Sequence, residues 1–221
     1  MIPAVKLFSC WVADTCKACE DAAEAKYQAE QKAIAMERRR QRVIQCRSQS
    51  GLMDKEAGKT FASFKVNDDN AKARMFAIEG LAVGNLLLIG DSGVGKTHLA
   101  LAMANEWIEK GKAVKFYPIW RLLSEARGAF DRGMTEVEFI DEIKKNPLVI
   151  DDLGSYKMSE WAIGFFEMLM DEWGRGDGCQ GLVITTNLWP DVIASRFSKR
   201  IGSRLNEICR MIELKGHDRR I

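Results

Sequence analysis

Residues 90–97, Gly90-Asp91-Ser92-Gly93-Val94-Gly95-Lys96-Thr97, fit the pattern G-x-x-x-x-G-K-[ST], and their flanks fix what the chain must do locally. The apolar run Leu86-Leu87-Leu88-Ile89 leads into them as a buried strand would. After them Leu99, Ala100, Met103, Ala104, Trp107 and Ile108 recur on one face of a helix. Strand, glycine loop and helix in that order make a phosphate-binding loop. Glycines at 90, 93 and 95 let successive backbone N–H groups turn inward on an anion, and the helix N-terminus adds partial positive charge. Residues from Gly90 through His98, with Asp91, Ser92 and Val94 among them, are therefore expected to wrap the phosphates of a nucleoside triphosphate. Lys96 is placed to reach the β- and γ-phosphates, and the Thr97 hydroxyl to ligate Mg²⁺.

A chain of 221 residues has room for one α/β domain and a small appendage. With 47% hydrophobic and 29% charged residues it has the composition of a soluble globular protein. The net charge of +2 gives no whole-molecule attraction to nucleic acid, so any such site must be a local patch. No apolar run approaches the roughly 18 residues that cross a bilayer, and residues 1–11 lack the basic start and cleavage site of an export signal. The expected compartment is the cytoplasm, with no membrane partner. Six cysteines, at 10, 16, 19, 46, 179 and 209, are too unevenly spread for a disulfide framework.

Residues 20–48 contain neither proline nor glycine and read as one long, solvated helix. Its second half carries Arg38, Arg39, Arg40, Arg42 and Arg47 against Glu37, either a solvated basic face or a surface for nucleic acid or an acidic partner. Residues 49–60 read as a linker, and Phe61 and Phe64 mark the return to a core. Beyond them strands and helices alternate: helix near 68–80, the phosphate-loop strand and helix, then strand 113–117 and helices near 119–130 and 135–145. Strand 148–150, helix 159–173, strand 182–185, helices near 190–197 and 199–209, and strand 211–214 follow. Such alternation predicts a parallel sheet covered on both faces.

Two of these strands end in polar residues. Leu148-Val149-Ile150-Asp151-Asp152 delivers a carboxylate pair to the sheet edge, where Asp151 is expected to hold Mg²⁺ and Asp152 to polarise an attacking water. Val183-Ile184-Thr185-Thr186-Asn187 delivers a neutral amide, suited to holding that water. Arg200, Arg204 and Arg210 fall in a C-terminal helical pattern too polar to be buried. An arginine supplied there across a subunit interface would stabilise charge on the γ-phosphate.

GDSGVGKTHLA at 90–100, IDDLG at 150–154, ITTN at 184–187 and the tail KRIGSRLNEIC…GHDRR at 199–220 together resemble the DnaC/DnaI-type helicase loaders, a branch of the AAA+ ATPases. The resemblance runs from about Phe61 to the C-terminus. It implies a three-layer αβα domain with a five-stranded parallel sheet of order 5-1-4-3-2 and ATP bound between self-associating subunits. It also implies Lys96 and Thr97 as the first nucleotide motif, Asp151 and Asp152 as the second, and Asn187 as sensor 1. Arg204 corresponds to the arginine finger and Arg220 to sensor 2. Many members carry Asp-Glu where this chain has Asp151-Asp152, and the shorter acid implies slow hydrolysis.

Trp11…Cys16-Lys17-Ala18-Cys19-Glu20 is similar to the second half of those loaders' zinc module. Zn²⁺ needs four ligands; Cys16 and Cys19 supply two, and Cys10 is a candidate third, so the module is shortened or degenerate. The resemblance implies an ATPase, encoded by a phage or prophage, that loads a hexameric replicative helicase onto single-stranded DNA. Residues 1–55 would bind the helicase and residues 56–221 would form the ATPase domain. Two alternatives stand beside it: an IstB-like transposition-helper ATPase acting on duplex DNA, and a nucleotide-binding adaptor that does not hydrolyse ATP.

Overall fold

A computed structural model of the chain describes residues 5–7, 10–12, 17–176 and 181–218. The chain divides into two units, Met1–Arg42 and Val43–Ile221. In the first, strand β1 (Val5–Leu7) pairs antiparallel with β2 (Cys10–Val12), and helix α1 (Lys17–Ser48) begins. Through residue 42 every residue of α1 is exposed. Alanine, glutamate, glutamine, lysine and arginine favour the helix intrinsically and leave no apolar stripe to bury.

The last turns of α1 belong to the second unit, where Cys46 is buried. Here the structure departs from the linker expected at 49–60. Ser50 is buried and its carbonyl accepts the Phe116 N–H at 2.9 Å. Arg47 Nη1 donates to Asn105 Oδ1 at 2.9 Å, and Asn105 Nδ2 donates to the carbonyls of Glu56 and Lys59, each at 2.9 Å. Asn105 is a buried amide on an otherwise apolar stretch, and it meets its hydrogen-bonding needs by holding this polar segment down. The compact unit accordingly starts at Val43, ahead of the 55/56 division read from the sequence.

After helix α2 (Ala71–Val83) the five strands of the second unit follow: β3 (Leu86–Ile89), β4 (Lys115–Pro118), β5 (Leu148–Leu153), β6 (Leu182–Thr186) and β7 (Arg210–Glu213). They form one parallel sheet of order β4-β5-β6-β3-β7. Numbering these five alone and reading from β7 gives 5-1-4-3-2, the expected order. Arg210 lies in β7 and not in the helix before it.

The pleat sorts each strand between two cores. Leu86, Leu88, Val149, Val183 and Ile212 face α2 and α3 (Lys96–Glu109), and residues 43–64 pack on that side. Leu87, Ile89, Leu148, Ile150, Leu182 and Ile184 face the other layer. That layer comprises α4 (Ile119–Asp131), α5 (Glu136–Ile143), α6 (Glu160–Gly174), α7 (Pro190–Arg196) and α8 (Lys199–Ile208). Strands buried on both faces must be apolar at every position, and β3 is. Cys209, just after α8, fills this core, and burial pushes its thiol up to about 12. No described helix is long and apolar enough to cross a membrane.

Candidate nucleotide site

β3 sits between β6 and β7, while the chain leaving it crosses to β4 at the far edge. A parallel sheet opens a crevice beyond its C-terminal edge where the winding reverses, and the glycine loop lies there. Gly93 and Gly95 have φ of +79° and +108°, conformations that side chains rarely adopt. At Gly90 an alanine methyl would overlap the Leu214 carbonyl oxygen; at Gly95 it would come within 2.9 Å of the Phe64 ring. The loop is gripped on both sides.

Lys96 opens α3, and its ammonium is nearly buried over the loop, donating to the carbonyls of Gly90 at 2.8 Å and Asp91 at 2.7 Å. Thr97 Oγ1 donates to Asp151 Oδ1 at 2.9 Å, although the two residues lie 54 apart in sequence. Thr185 on β6 donates to the same Asp151 oxygen at 2.6 Å and accepts the Asp152 N–H at 2.8 Å. Burial pushes the Asp151 carboxyl above its ordinary value, and the neighbouring Asp152 adds to this. The Thr185 and Thr97 hydroxyls and the Lys96 charge act in the opposite direction. A carboxylate and a hydroxyl side by side are hard oxygen donors, the set that suits Mg²⁺, and a cation there would favour the ionised acid.

Asp152 has φ of +61°, the one left-handed non-glycine among the described residues. Aspartate tolerates this conformation better than most residues, because its short side chain can bond locally. The following Gly154, at φ +108°, lies under Leu188, whose Cδ1 would be 2.5 Å from an added methyl. The end of β5 is therefore bulged at Asp151 and Asp152, between the pairs Ile150–Ile184 and Leu153–Thr186, and the bulge leaves Asp152 exposed.

A cleft of about 480 Å³ collects most of the expected residues: Ser92, Gly93, Gly95, Lys96, Thr97, His98, Asp151, Asp152 and Asn187. Gly90, Asp91 and Asn187 also line a neighbouring hollow of about 300 Å³, and Val94 is buried beneath the loop. His98 Nε2 lies 3.1 Å from the Thr60 carbonyl and 3.2 Å from Ser63 Oγ, and its ring meets the edge of Phe64. This ties the loop helix to residues 60–64.

Arg204 does not line its own cleft. It lies on α8, where Nε donates to Asp171 Oδ1 at 2.8 Å and Nη1 to Glu207 Oε2 at 2.7 Å. Arg220 lies outside the described residues. So does Cys16, and only the backbone of Cys10 is described; Cys19 is exposed on α1. Among the described residues no three candidate ligands come together for a metal.

Sequence reasoning missed Thr185, Phe64, Lys59 and Asp218. Thr185 was visible only as a β-branched strand residue, and Phe64 and Lys59 lie in the segment read as a linker and its exit. The Asp218 carboxylate lies against the Cα of Gly93, where an added methyl would collide with it. Nothing local in the sequence announces that approach.

A glycine-loop helix start, a buried acid hydrogen-bonded to the loop threonine, and a polar-ended neighbouring strand on a sheet of this order define a P-loop ATP-binding protein of the AAA+ type. The chain belongs to the family of IstB-like ATP binding proteins, whose model matches residues 14–221. It is similar to the replicative helicase loader DnaC of Escherichia coli K12, 24% identical over 187 residues, 81% of this chain and 74% of DnaC. It is also similar to the ATP-binding protein of insertion sequence IS21 from Pseudomonas aeruginosa. That match is 30% identical over 104 residues, 47% of this chain and 38% of the relative. The crystal structure of the DnaC helicase loader superposes with a TM-score of 0.64 at 22% identity, covering 74% of this chain and all of that one, which establishes a DnaC-like AAA+ fold.

Proposed function

We propose that this protein is a slow ATPase that loads a hexameric replicative helicase onto single-stranded DNA. The observation that carries the partner reading is the extent of the likeness to DnaC. Among single relatives it takes in 81% of this chain and 74% of DnaC, against 47% of the chain for the IS21 relative; the IstB-like family model, at residues 14–221, keeps the transposition helper as the second reading.

In this reading Lys96 exchanges its loop carbonyls for phosphate oxygens, and Thr97 and Asp151 would hold Mg²⁺, which would supply positive charge to the phosphates. Asp152, exposed at the bulge that ends β5, polarises the attacking water while Asn187 orients it. Arg204, outside its own cleft, serves the site of a neighbouring subunit, and Arg220 contacts the nucleotide as sensor 2. Three exposed aromatics support contact with unpaired bases. Trp120, Tyr156 and Trp189, 55%, 48% and 50% exposed, follow the adjacent strands β4, β5 and β6 at one sheet edge. Bases stack on such side chains only when they are not paired.

The test is co-purification with a hexameric helicase, alongside phosphate release with single- and double-stranded DNA. Helicase capture and stimulation by single strands are expected. Capture of a transposase and preference for duplex would transfer the assignment to the transposition helpers. ATP binding without phosphate release would make the protein an adaptor.

A further inference from the structure

The site includes Arg204 only if that side chain is held in the right place on the outside of the subunit. An arginine on a surface helix samples many rotamers, and each productive geometry it fails to hold is lost rate. The structure supplies a holder. Asp171, on α6, is mostly buried at 18% side-chain exposure and receives two guanidinium groups of α8: Arg204 Nε on Oδ1 at 2.8 Å and Arg200 Nη2 on Oδ2. Residues 200 and 204 are one helical turn apart, so a single carboxylate fixes both along one face. Glu207 takes Arg204 Nη1, and among the described residues this leaves Nη2 for a group outside the subunit.

We propose that Asp171 is the positioning residue for the arginine finger, setting Arg204 for the phosphates of the adjacent subunit. The inference rests on the reading of Arg204 given above. Stability alone is a poor account of the arrangement. The two arginine side chains are 60% and 36% exposed, and ion pairs so open to solvent add little to folding. What the pair of bonds does provide is a fixed guanidinium plane before the partner arrives.

The experiment measures ATP turnover of the full chain at concentrations where subunits associate, with single-stranded DNA present. Asp171→Asn is expected to lower kcat about 10- to 100-fold, the scale of a misplaced catalytic group, with KM for ATP unchanged. Melting should move by no more than about 2 °C. Mixing Asp171→Asn with Lys96→Ala protein should restore part of the rate, because the defect lies on the donating face of each subunit. The double variant with Arg204→Ala should be no slower than Arg204→Ala alone. If Asp171→Asn does not fold, Asp171→Glu should show a smaller loss of kcat with the same recovery on mixing.

Wild-type turnover in Asp171→Asn beside a slow Arg204→Ala overturns the positioning role and leaves the finger intact. A raised KM with no recovery on mixing overturns it too, in favour of a structural role. Wild-type turnover in Arg204→Ala overturns the reading of the finger itself.

Discussion

Helices α1 and α3 both use alanine freely, yet one is exposed and the other buried almost all round. Through residue 42, α1 is exposed at every position. In α3, ten of the fourteen residues are buried, including Lys96 and Asn105. The difference lies in what separates the alanines. Charged and amide side chains in α1 let the helix stand in water on propensity alone. In α3, Leu99, Leu101, Met103, Trp107 and Ile108 must be covered, by the sheet on one side and by α2 and residues 43–64 on the other. A helix clamped on both sides is rigid, and its first residues can hold a phosphate loop to a fixed geometry.

Lys96→Ala gives the largest expected effect. ATP affinity should fall at least about 100-fold, the scale of charged hydrogen bonds lost at once, with the melting temperature little changed. A nucleotide titration that finds unchanged affinity would break the reading of the α3 N-terminus as a phosphate-binding loop.

Next come two methionines, one from each helix. Met103→Ala should cost about 2–5 kcal/mol by opening a cavity, and Met36→Ala no more than about 0.5 kcal/mol, both read from denaturant midpoints. Equal losses would mean that α1 has a buried face.

Truncation locates where the comparison turns. Removing residues 1–42 should leave the melting temperature of the remainder within about 2 °C, a surface-scale change. Removing 1–55 strips Cys46, Ser50 and the Arg47–Asn105 bond, and should lower it measurably. Equal melting of the two fragments would restore the division at residue 55.

The smallest effect concerns pH. Burial lifts the folded-state pKa of Asp151 above its unfolded value, so its ionisation opposes folding. The stability it contributes is full below the unfolded pKa and is lost as pH rises through the raised folded value. Asp151→Asn should remove that loss, melting at or slightly above the wild-type temperature at neutral pH without ligand while Mg²⁺-dependent turnover falls. A clearly lower melting temperature would show that the hydroxyls of Thr97 and Thr185 outweigh burial.

Much of the fold was legible because its signals are local. The run at 86–89 followed by glycines can only be a buried strand entering a loop, and the helix ends at 131, 174 and 208 fall within a residue or two of their expected places. The segment after α1 was misread for an equally physical reason. Residues 49–60 are polar and contain two glycines, the composition of a linker, and what ties them down is hydrogen bonding across the fold, from the Phe116 N–H to Ser50 and from the Asn105 amide to Glu56 and Lys59. Arg210 read as helical because its neighbours are amphipathic, whereas pairing with β3 makes it strand.

The sequence by itself determined the phosphate loop, the alternation of strands and helices, and the two acids that end β5. Each depends on backbone preferences and side-chain periodicity within a few residues. Only the tertiary structure decided that Asp151 meets Thr97 and Thr185, that Asp218 lies against Gly93, and that Asp171 holds Arg204. These partners are brought together by the strand order β4-β5-β6-β3-β7 and by the packing of α6 on α8. Those arrangements are set by how the central strands, apolar on both faces, and the helices around them bury one another, a condition on the whole chain that no stretch of it contains.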